Sequence, residues 1–130
     1  MARDNPKLPN LSHAELEVIQ VVWDRGRLSA REVHEAVAER ESWEYSTTRT
    51  VLGRLVKKGA LSKKTFHGIQ LYEAKISRAE GLARRVKDFA ERVVQVDPAQ
   101  VVPLLAEGNA LTPEEIEEIT RILEGEGKRR

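Results

Sequence analysis

Cysteine is absent from this sequence of 130 residues, and aromatic residues make up only 5% of it. The absence of cysteine excludes a disulfide framework, a thiolate zinc site and a cysteine nucleophile. No apolar run approaches the roughly 18 residues that a membrane-spanning helix needs, and the polar first ten residues do not resemble a signal peptide. We therefore expect a soluble, cytoplasmic protein. Because charged residues make up 33% of the sequence and aromatic residues are scarce, we expect helices rather than a β-sandwich.

Charge is distributed unevenly along the chain, although the formal net charge is only +1. The 28 residues between Glu44 and Glu73 contain no Asp or Glu, but they contain six basic residues: Arg49, Arg54, Lys57, Lys58, Lys63 and Lys64. A basic segment without acids is typical of a surface that binds nucleic acid. A basic helix face by itself is more often only solvated, so this interpretation depends on the fold that carries the segment.

Capping boxes mark where the helices begin. Four segments have Ser or Thr followed three residues later by Glu, and they begin at Ser12, Ser29, Ser77 and Thr112. Apolar residues at helical spacing predict the first three helices over about 12–25, 29–41 and 46–58. The apolar period then changes, which predicts a short β-hairpin over 60–74 with its turn at His67-Gly68.

Three helices followed by a hairpin is the order of elements in a winged helix-turn-helix domain, whose third helix enters DNA and whose hairpin is the wing. We therefore predict a mostly α fold with a small β-hairpin: a winged helix-turn-helix domain followed by a C-terminal helical dimerisation region. The predicted segments are a flexible N-terminus (1–10), the DNA-binding domain (11–75), the dimerisation domain (76–124) and a tail (125–130).

The outward face of the predicted third helix has side chains suited to DNA. With its apolar residues turned to the core, this helix exposes Ser46, Thr47, Arg49, Thr50, Arg54 and Lys57. Arginine can read guanine with two hydrogen bonds, and hydroxyls near a helix N-terminus can approach bases and phosphates closely. Gly53 removes bulk on the same face, and Lys63 and Lys64 at the start of the wing are placed to contact phosphates.

The run WEYSTTRTVLGRLVKKG at 43–59, together with residues 14–23, 28–33 and 111–123, resembles the penicillinase repressor (BlaI/MecI) family of bacterial regulators. The resemblance implies a homodimeric winged-helix repressor that binds a pseudo-palindromic operator with TACA/TGTA-like half-sites. It implies DNA contacts first by Thr47, Thr50 and Arg54, and secondarily by Ser46, Arg49, Lys57, Lys63 and Lys64.

The sequence departs from the family pattern at three places. Thr48 stands where the family often has a buried Val or Ile, and we expect its methyl to pack while its hydroxyl bonds the preceding turn. β-Lactam-responsive members are cleaved at an Asn-Phe bond, and the matching place here is Leu104-Leu105. That pair is the candidate regulatory cleavage region, with a membrane sensor protease as candidate partner, although the cleavable bond is missing. The Cys-x-Cys motifs of copper-responsive members are also absent.

An apolar seam follows the predicted wing at spacings of 4, 3, 4 and 3 residues: Leu82, Val86, Phe89, Val93 and Val96. It packs either on the chain's own core or in a two-fold interface together with the last helix, which contributes Ile116, Ile119, Ile122 and Leu123. We favour the interface, because about 55 residues are few to cover several apolar stripes and because a dimer would match a symmetric operator.

No catalytic or metal-binding pattern is evident, so we expect neither enzyme activity nor a cofactor. His13, His34 and His67 are far apart in sequence, and we expect all three at the surface, with His34 on the outward side of the second helix. The alternative function is a winged-helix protein-docking module without sequence-specific DNA binding. Such a module would have no need to keep residues 45–72 free of acids.

Overall fold

The computed structural model describes residues 9–108 and 111–128, with side chains described as far as Gly125. These residues form two compact units, which meet in sequence between Ser77 and Arg78. Most of the predicted N-terminal segment 1–10 lies outside the described residues. The last helix continues to Lys128, beyond the predicted boundary at residue 124.

The first unit contains three helices and a small antiparallel sheet. The elements are α1 (His13–Arg25), β1 (Leu28–Ser29), α2 (Ala30–Ala38), α3 (Tyr45–Lys57), β2 (Leu61–Phe66) and β3 (Ile69–Ala74). The strand order is β1-β3-β2, with Leu28 opposite Tyr72 and Leu61 opposite Ala74. The predicted order of helices and hairpin is confirmed, whereas the two-residue strand β1 was not predicted.

The turn between β2 and β3 has two residues with positive φ, His67 at 53° and Gly68 at 81°. Two consecutive positive φ values define the type I′ turn, whose twist matches that of a two-stranded hairpin. This turn sets the register in which Phe66 pairs with Ile69, and it thereby fixes which side chains lie on each face of the wing.

Among the described residues, capping hydrogen bonds are present at the N-termini of three helices. Reciprocal capping bonds join Ser12 with Glu15, Ser29 with Glu32, and Thr112 with Glu115, as the sequence predicted. Helix α3 differs, because its N-cap Glu44 makes no capping bond through its side chain. Burial of its apolar stripe must therefore supply most of its stability.

The core of the first unit lies between its three helices and the base of the sheet. Its fully buried side chains include Val18, Ile19, Val33, Val37, Leu52, Leu55 and Leu61. The indole Nε1 of Trp23 donates a hydrogen bond to the carbonyl oxygen of Ile76 at 3.0 Å. That bond ties the last turn of α1 to the C-terminal end of the unit.

A partly buried ion pair connects the start of α1 to the residue after α3. The carboxylate of Glu15 is only 3% exposed and accepts a hydrogen bond from Lys58 Nζ at 2.7 Å. The same oxygen accepts the backbone N–H of Ser12 at 2.8 Å. Glu15 therefore caps α1 and neutralises one of the six cations of the basic segment.

The second unit contains helices α4 (Arg78–Asp88), α5 (Val102–Glu107) and α6 (Pro113–Lys128), a π-helical turn over Phe89–Val94 and a 3₁₀ turn over Pro98–Gln100. Its core consists of Ala79, Val102, Leu111 and Ile119. Against this core pack the partly buried side chains of Leu82, Val86, Leu105, Ile116 and Leu123.

The heptad seam predicted over 82–96 ends early. Helix α4 gives way at Phe89 to the π-helical turn, and Gln95 then adopts a left-handed conformation with φ of 65°. A π turn has i→i+5 hydrogen bonds, so the side chains that follow it no longer continue the heptad stripe. Leu82 and Val86 consequently pack in the core, whereas Phe89 and Val93 are exposed.

Candidate nucleic-acid interface

Helix α3 presents an apolar face to the core and a polar face to solvent. Val51, Leu52 and Leu55 are at most 2% exposed. All of the predicted contact residues of this helix lie on the exposed face: Ser46, Thr47, Arg49, Thr50, Arg54 and Lys57. We call these six residues and Gly53 the α3 face. The structure thus places together the residues that the helical spacing assigned to DNA.

Gly53 has no packing reason to be glycine. It lies in the middle of α3, and a Cβ built on it meets no atom of the chain outside its own helix within 4 Å. Glycine in a helix interior costs about 0.5–1 kcal/mol relative to alanine. The open space above Gly53 therefore suits the close approach of another molecule.

The two wing lysines point to opposite faces of the sheet, because they are consecutive on β2. Lys63 is opposite Tyr72 and shares a face with Gln70. Lys64 shares the other face with Glu73, and its Nζ lies 3.5 Å from the Glu73 carboxylate. The geometry therefore distinguishes two lysines that the sequence treated alike.

A groove of about 350 Å³ lies beside the α3 face. It is lined by residues from the start of α2, from α3 and from β3: Ser29, Ala30, Arg31, Tyr45, Arg49, Ile69, Gln70 and Tyr72. Two of these side chains are cationic and none is acidic, so the groove favours an anion. We call it the α2–α3 groove.

A chain of contacts runs from this groove into the core. The Arg31 guanidinium lies 4.3 Å from the centroid of the Tyr45 ring, and that ring meets His34 edge to face at 5.5 Å. His34 Nδ1 lies 2.7 Å from Thr48 Oγ1 in a hydrogen bond. Neither Arg31 nor Tyr45 was singled out from the sequence, because no local pattern reports that α2 and α3 bring them together.

Two expectations about these residues are wrong. The hydroxyl of Thr48 bonds His34 on α2 rather than the preceding turn of its own helix, and Thr48 is completely buried. His34 is half-buried rather than outward-facing. The physical reason is the same for both, because a hydroxyl buried between two helices needs a partner and the imidazole supplies one.

The residues predicted for dimerisation fall into two groups. Leu82, Val86, Ile116, Ile119 and Leu123 pack in the core of the second unit, and Ile119 is completely buried there. Ile122 is partly buried. Phe89 and Val93 are 49% and 68% exposed, and Val94 beside them is 46% exposed. Of the residues predicted for dimerisation, Phe89 and Val93 are the ones whose apolar side chains are exposed to another chain.

The candidate cleavage region lies in α5. Leu104 is 64% exposed, and Leu105 packs against the core of the second unit. Its regulatory role stays a prediction. None of the described helices combines the length and apolar character needed to cross a bilayer.

One group of possible metal ligands occurs among the described side chains. Ligand atoms of His13, Glu17 and Glu41 lie within 4.8 Å of one another. Arg40 already lies 3.1 Å from the Glu17 carboxylate, and its positive charge competes with a cation there. We therefore assign no metal centre to this group.

The element order, the exposed polar face of α3 and the basic wing define a winged-helix domain of the nucleic-acid-binding class. The family model described as penicillinase repressor matches residues 11–125. This chain belongs to the penicillinase repressor family, which is a family of transcriptional repressors and not of enzymes. The resemblance inferred from residues 43–59 is thereby confirmed.

Relatives of similar length align over most of this chain. The penicillinase repressor of Bacillus licheniformis is 31% identical over 118 residues, which cover 91% of this chain and 92% of the relative. The methicillin resistance regulatory protein MecI of Staphylococcus aureus (strain N315) is 29% identical over 117 residues, covering 90% and 95% respectively.

Solved structures of the repressor BlaI are similar to about half of this chain. The solution structure of the DNA-binding domain of the repressor BlaI has a TM-score of 0.51 and 33% identity, covering 56% of this chain and 89% of that one. The Bacillus licheniformis BlaI monomer in complex with the blaP half-operator matches with the same values.

Proposed function

We propose that this protein is a homodimeric transcriptional repressor that binds a pseudo-palindromic operator through α3 and the wing. The observation that carries the proposal is the α3 face, a helix surface without acids whose predicted contact residues are all exposed. Family membership and the similarity to BlaI, whose monomer was solved with a half-operator, support it. Such a repressor would act in the cytoplasm, where bacterial DNA is located.

In this proposal α3 lies in the major groove. Arg54 reads a base edge, because its position on the exposed face lets the guanidinium fork reach two acceptors of guanine. Thr47 and Thr50 offer hydroxyls to bases or phosphates, and their methyl groups can contact thymine. Lys63 lies over the backbone and fixes the position of the wing without reading sequence.

The exposed apolar residues of the second unit support a two-fold interface. Phe89, Val93 and Val94 lie in one π-helical turn, and each is at least 46% exposed. Burial of these side chains against a second copy would stabilise the dimer by about 25 cal/mol for each Å² of apolar area removed from water. A dimer built this way would present two α3 faces to half-sites that lie about 34–36 Å apart or at multiples of that distance.

The base-reading role of Arg54 can be tested with two duplexes, an operator and an unrelated sequence. We expect Arg54→Ala to weaken operator binding by about 1–3 kcal/mol and to change binding to the unrelated duplex much less. Fluorescence anisotropy at several salt concentrations measures both. An equal loss on both duplexes would assign Arg54 to phosphate contact only.

The wing provides a matched pair of lysines. We expect Lys63→Ala to weaken binding to both duplexes alike. The slope of log K against log salt, which is negative, should become shallower by about 1. Lys64→Ala is the control, because its ammonium faces Glu73 on the other side of the sheet, and we expect a smaller change. A larger effect of Lys64→Ala would reverse the assigned orientation of the wing.

A further inference from the structure

The α2–α3 groove extends beyond the contacts that the sequence assigned to DNA and shares Arg49 with them. Arg49 belongs to both surfaces, since it is exposed on α3 and lines the groove. Arg31 extends the cationic surface from α3 to the second residue of α2. A ligand of this groove should therefore be an anion that also touches the α3 face.

We propose that Arg31, held on the ring of Tyr45, and Arg49 together clamp one phosphodiester of the DNA strand that borders α3. This inference rests on the proposed function, because the strand is placed there by α3. Arginine suits the task, since its planar fork can donate two hydrogen bonds to one phosphate.

The position of Arg31 is prepared before DNA arrives. Its guanidinium lies over the Tyr45 ring at 4.3 Å, a distance at which the ring face attracts a cation. Tyr45 is in turn held by the edge of His34, and His34 is fixed by its bond to the buried Thr48. An arginine ordered in advance loses less side-chain entropy on binding, so the contact is stronger than that of a free surface cation.

A phosphate is a better occupant than a base. Arg31 lies on α2 and not on the helix proposed to enter the major groove, and the acid-free lining suits a charged group. Bases offer neutral acceptors in the grooves, whereas every nucleotide offers an anionic oxygen at the edge of the duplex. We therefore expect Arg31 to add affinity without adding sequence preference.

The test is the salt dependence of binding to the operator and to an unrelated duplex. We expect Arg31→Ala to lower the affinity for both duplexes about equally, by roughly 5–30-fold. The negative slope of log K against log salt should become shallower by about 1. Arg25→Ala is the control, because Arg25 is exposed at the end of α1 and does not line the groove. Melting temperatures of both variants should equal that of the wild type.

Two further variants separate the charge from its orientation. Arg31→Lys keeps the charge, so the salt slope should stay near that of the wild type while affinity falls, because an ammonium group lacks the planar fork. Tyr45→Leu keeps Arg31 but removes the ring beneath it, and it should also lose affinity. Full affinity in both variants would overturn the pre-organised clamp.

The remaining outcomes are also decisive. An unchanged salt slope in Arg31→Ala, with sequence preference still lost in Arg54→Ala, overturns the clamp and leaves the proposed function standing. A loss confined to the operator makes Arg31 a base reader and overturns the proposal. Millimolar inorganic phosphate that shifts the Tyr45 NMR signals, combined with an unchanged slope, assigns the groove to a free anion instead. Absence of wild-type binding to either duplex overturns both proposals.

Discussion

At the scale of residues, the acid-free segment contains cations with different tasks. Lys58 donates to the buried carboxylate of Glu15, and Lys64 lies beside Glu73. Arg54 and Lys63 are exposed on surfaces that we assign to DNA. The sequence predicted that the segment is basic, but it could not divide these roles, because Glu15 is 43 positions away from Lys58 and only the fold brings them together.

The Glu15–Lys58 pair should contribute measurably to stability. We expect Lys58→Met to lower the free energy of unfolding at pH 7 by about 1–3 kcal/mol, because it leaves a buried carboxylate without its charged partner. Urea denaturation measures this difference. The control is Lys57→Met, an exposed neighbour whose replacement should stay within about 0.5 kcal/mol of the wild type. Equal effects of the two variants would contradict the structural role of Lys58.

The same pair gives stability a defined dependence on pH. Burial raises the pKa of the Glu15 carboxyl, but hydrogen bonds from Lys58 and Ser12 and the charge of Lys58 outweigh burial and hold the pKa below its ordinary value of 4.5. A lowered pKa in the folded state stabilises the protein fully above pH 4.5, and this stabilisation is lost as the pH falls through the folded value. In Lys58→Met, the decrease in the free energy of unfolding on acidification should be smaller than in the wild type.

Gly53 should affect stability and binding in opposite directions. We expect Gly53→Ala to raise the free energy of unfolding by about 0.5–1 kcal/mol, since the added Cβ meets no neighbour. Operator affinity should fall, because the methyl group occupies the space that DNA approaches. Gly125→Ala in α6 is the matched control, because it also meets no neighbour and lies outside the α3 face. Unchanged operator affinity in Gly53→Ala would place the closest approach of DNA elsewhere.

At the scale of elements, rules that act within a few residues predicted most of the fold. The capping boxes at Ser12, Ser29 and Thr112 and the turn at His67-Gly68 each depend on neighbours in sequence. Strand β1 was missed because its two residues become a strand only by pairing with β3. The π-helical turn at Phe89 was missed because apolar spacing does not distinguish it from an α-helix.

The hydrogen bond between α2 and α3 also escaped prediction, and it can be tested directly. We expect Thr48→Val to cost about 1 kcal/mol of unfolding free energy, because it removes the partner of the His34 ring. On a His34→Leu background the same substitution should cost less, which gives a coupling energy of about 0.5–1.5 kcal/mol in a double-mutant cycle. Additive costs would show that the two side chains do not stabilise each other.

At the scale of the whole molecule, repression of a symmetric operator requires two copies of the α3 face. The predicted dimer residues that face the core, such as Ile119, stabilise the second unit itself. The sequence could not separate them from Phe89 and Val93, because all of them lie on apolar stripes. The exposed π-helical turn is therefore the part of this unit that we assign to the interface.

The oligomeric state tests that assignment. We expect Val93→Asp to shift the protein from dimer to monomer in sedimentation, because a charge would have to be buried where an apolar group was. The variant should stay folded, since Val93 is 68% exposed within its own chain. Ala99→Asp is the control, as it places the same charge at another exposed site of the unit. A dimeric Val93→Asp variant would exclude this turn from the interface.

The central claim is that two α3 faces read a symmetric DNA sequence, and selection from random duplexes tests it most directly. The full-length protein is incubated with the pool at moderate salt, and the retained duplexes are sequenced. We predict a two-fold symmetric site whose enrichment disappears in Arg54→Ala. Retention without any shared sequence, or no retention even at low salt, would contradict the claim and favour a winged helix that docks onto another protein.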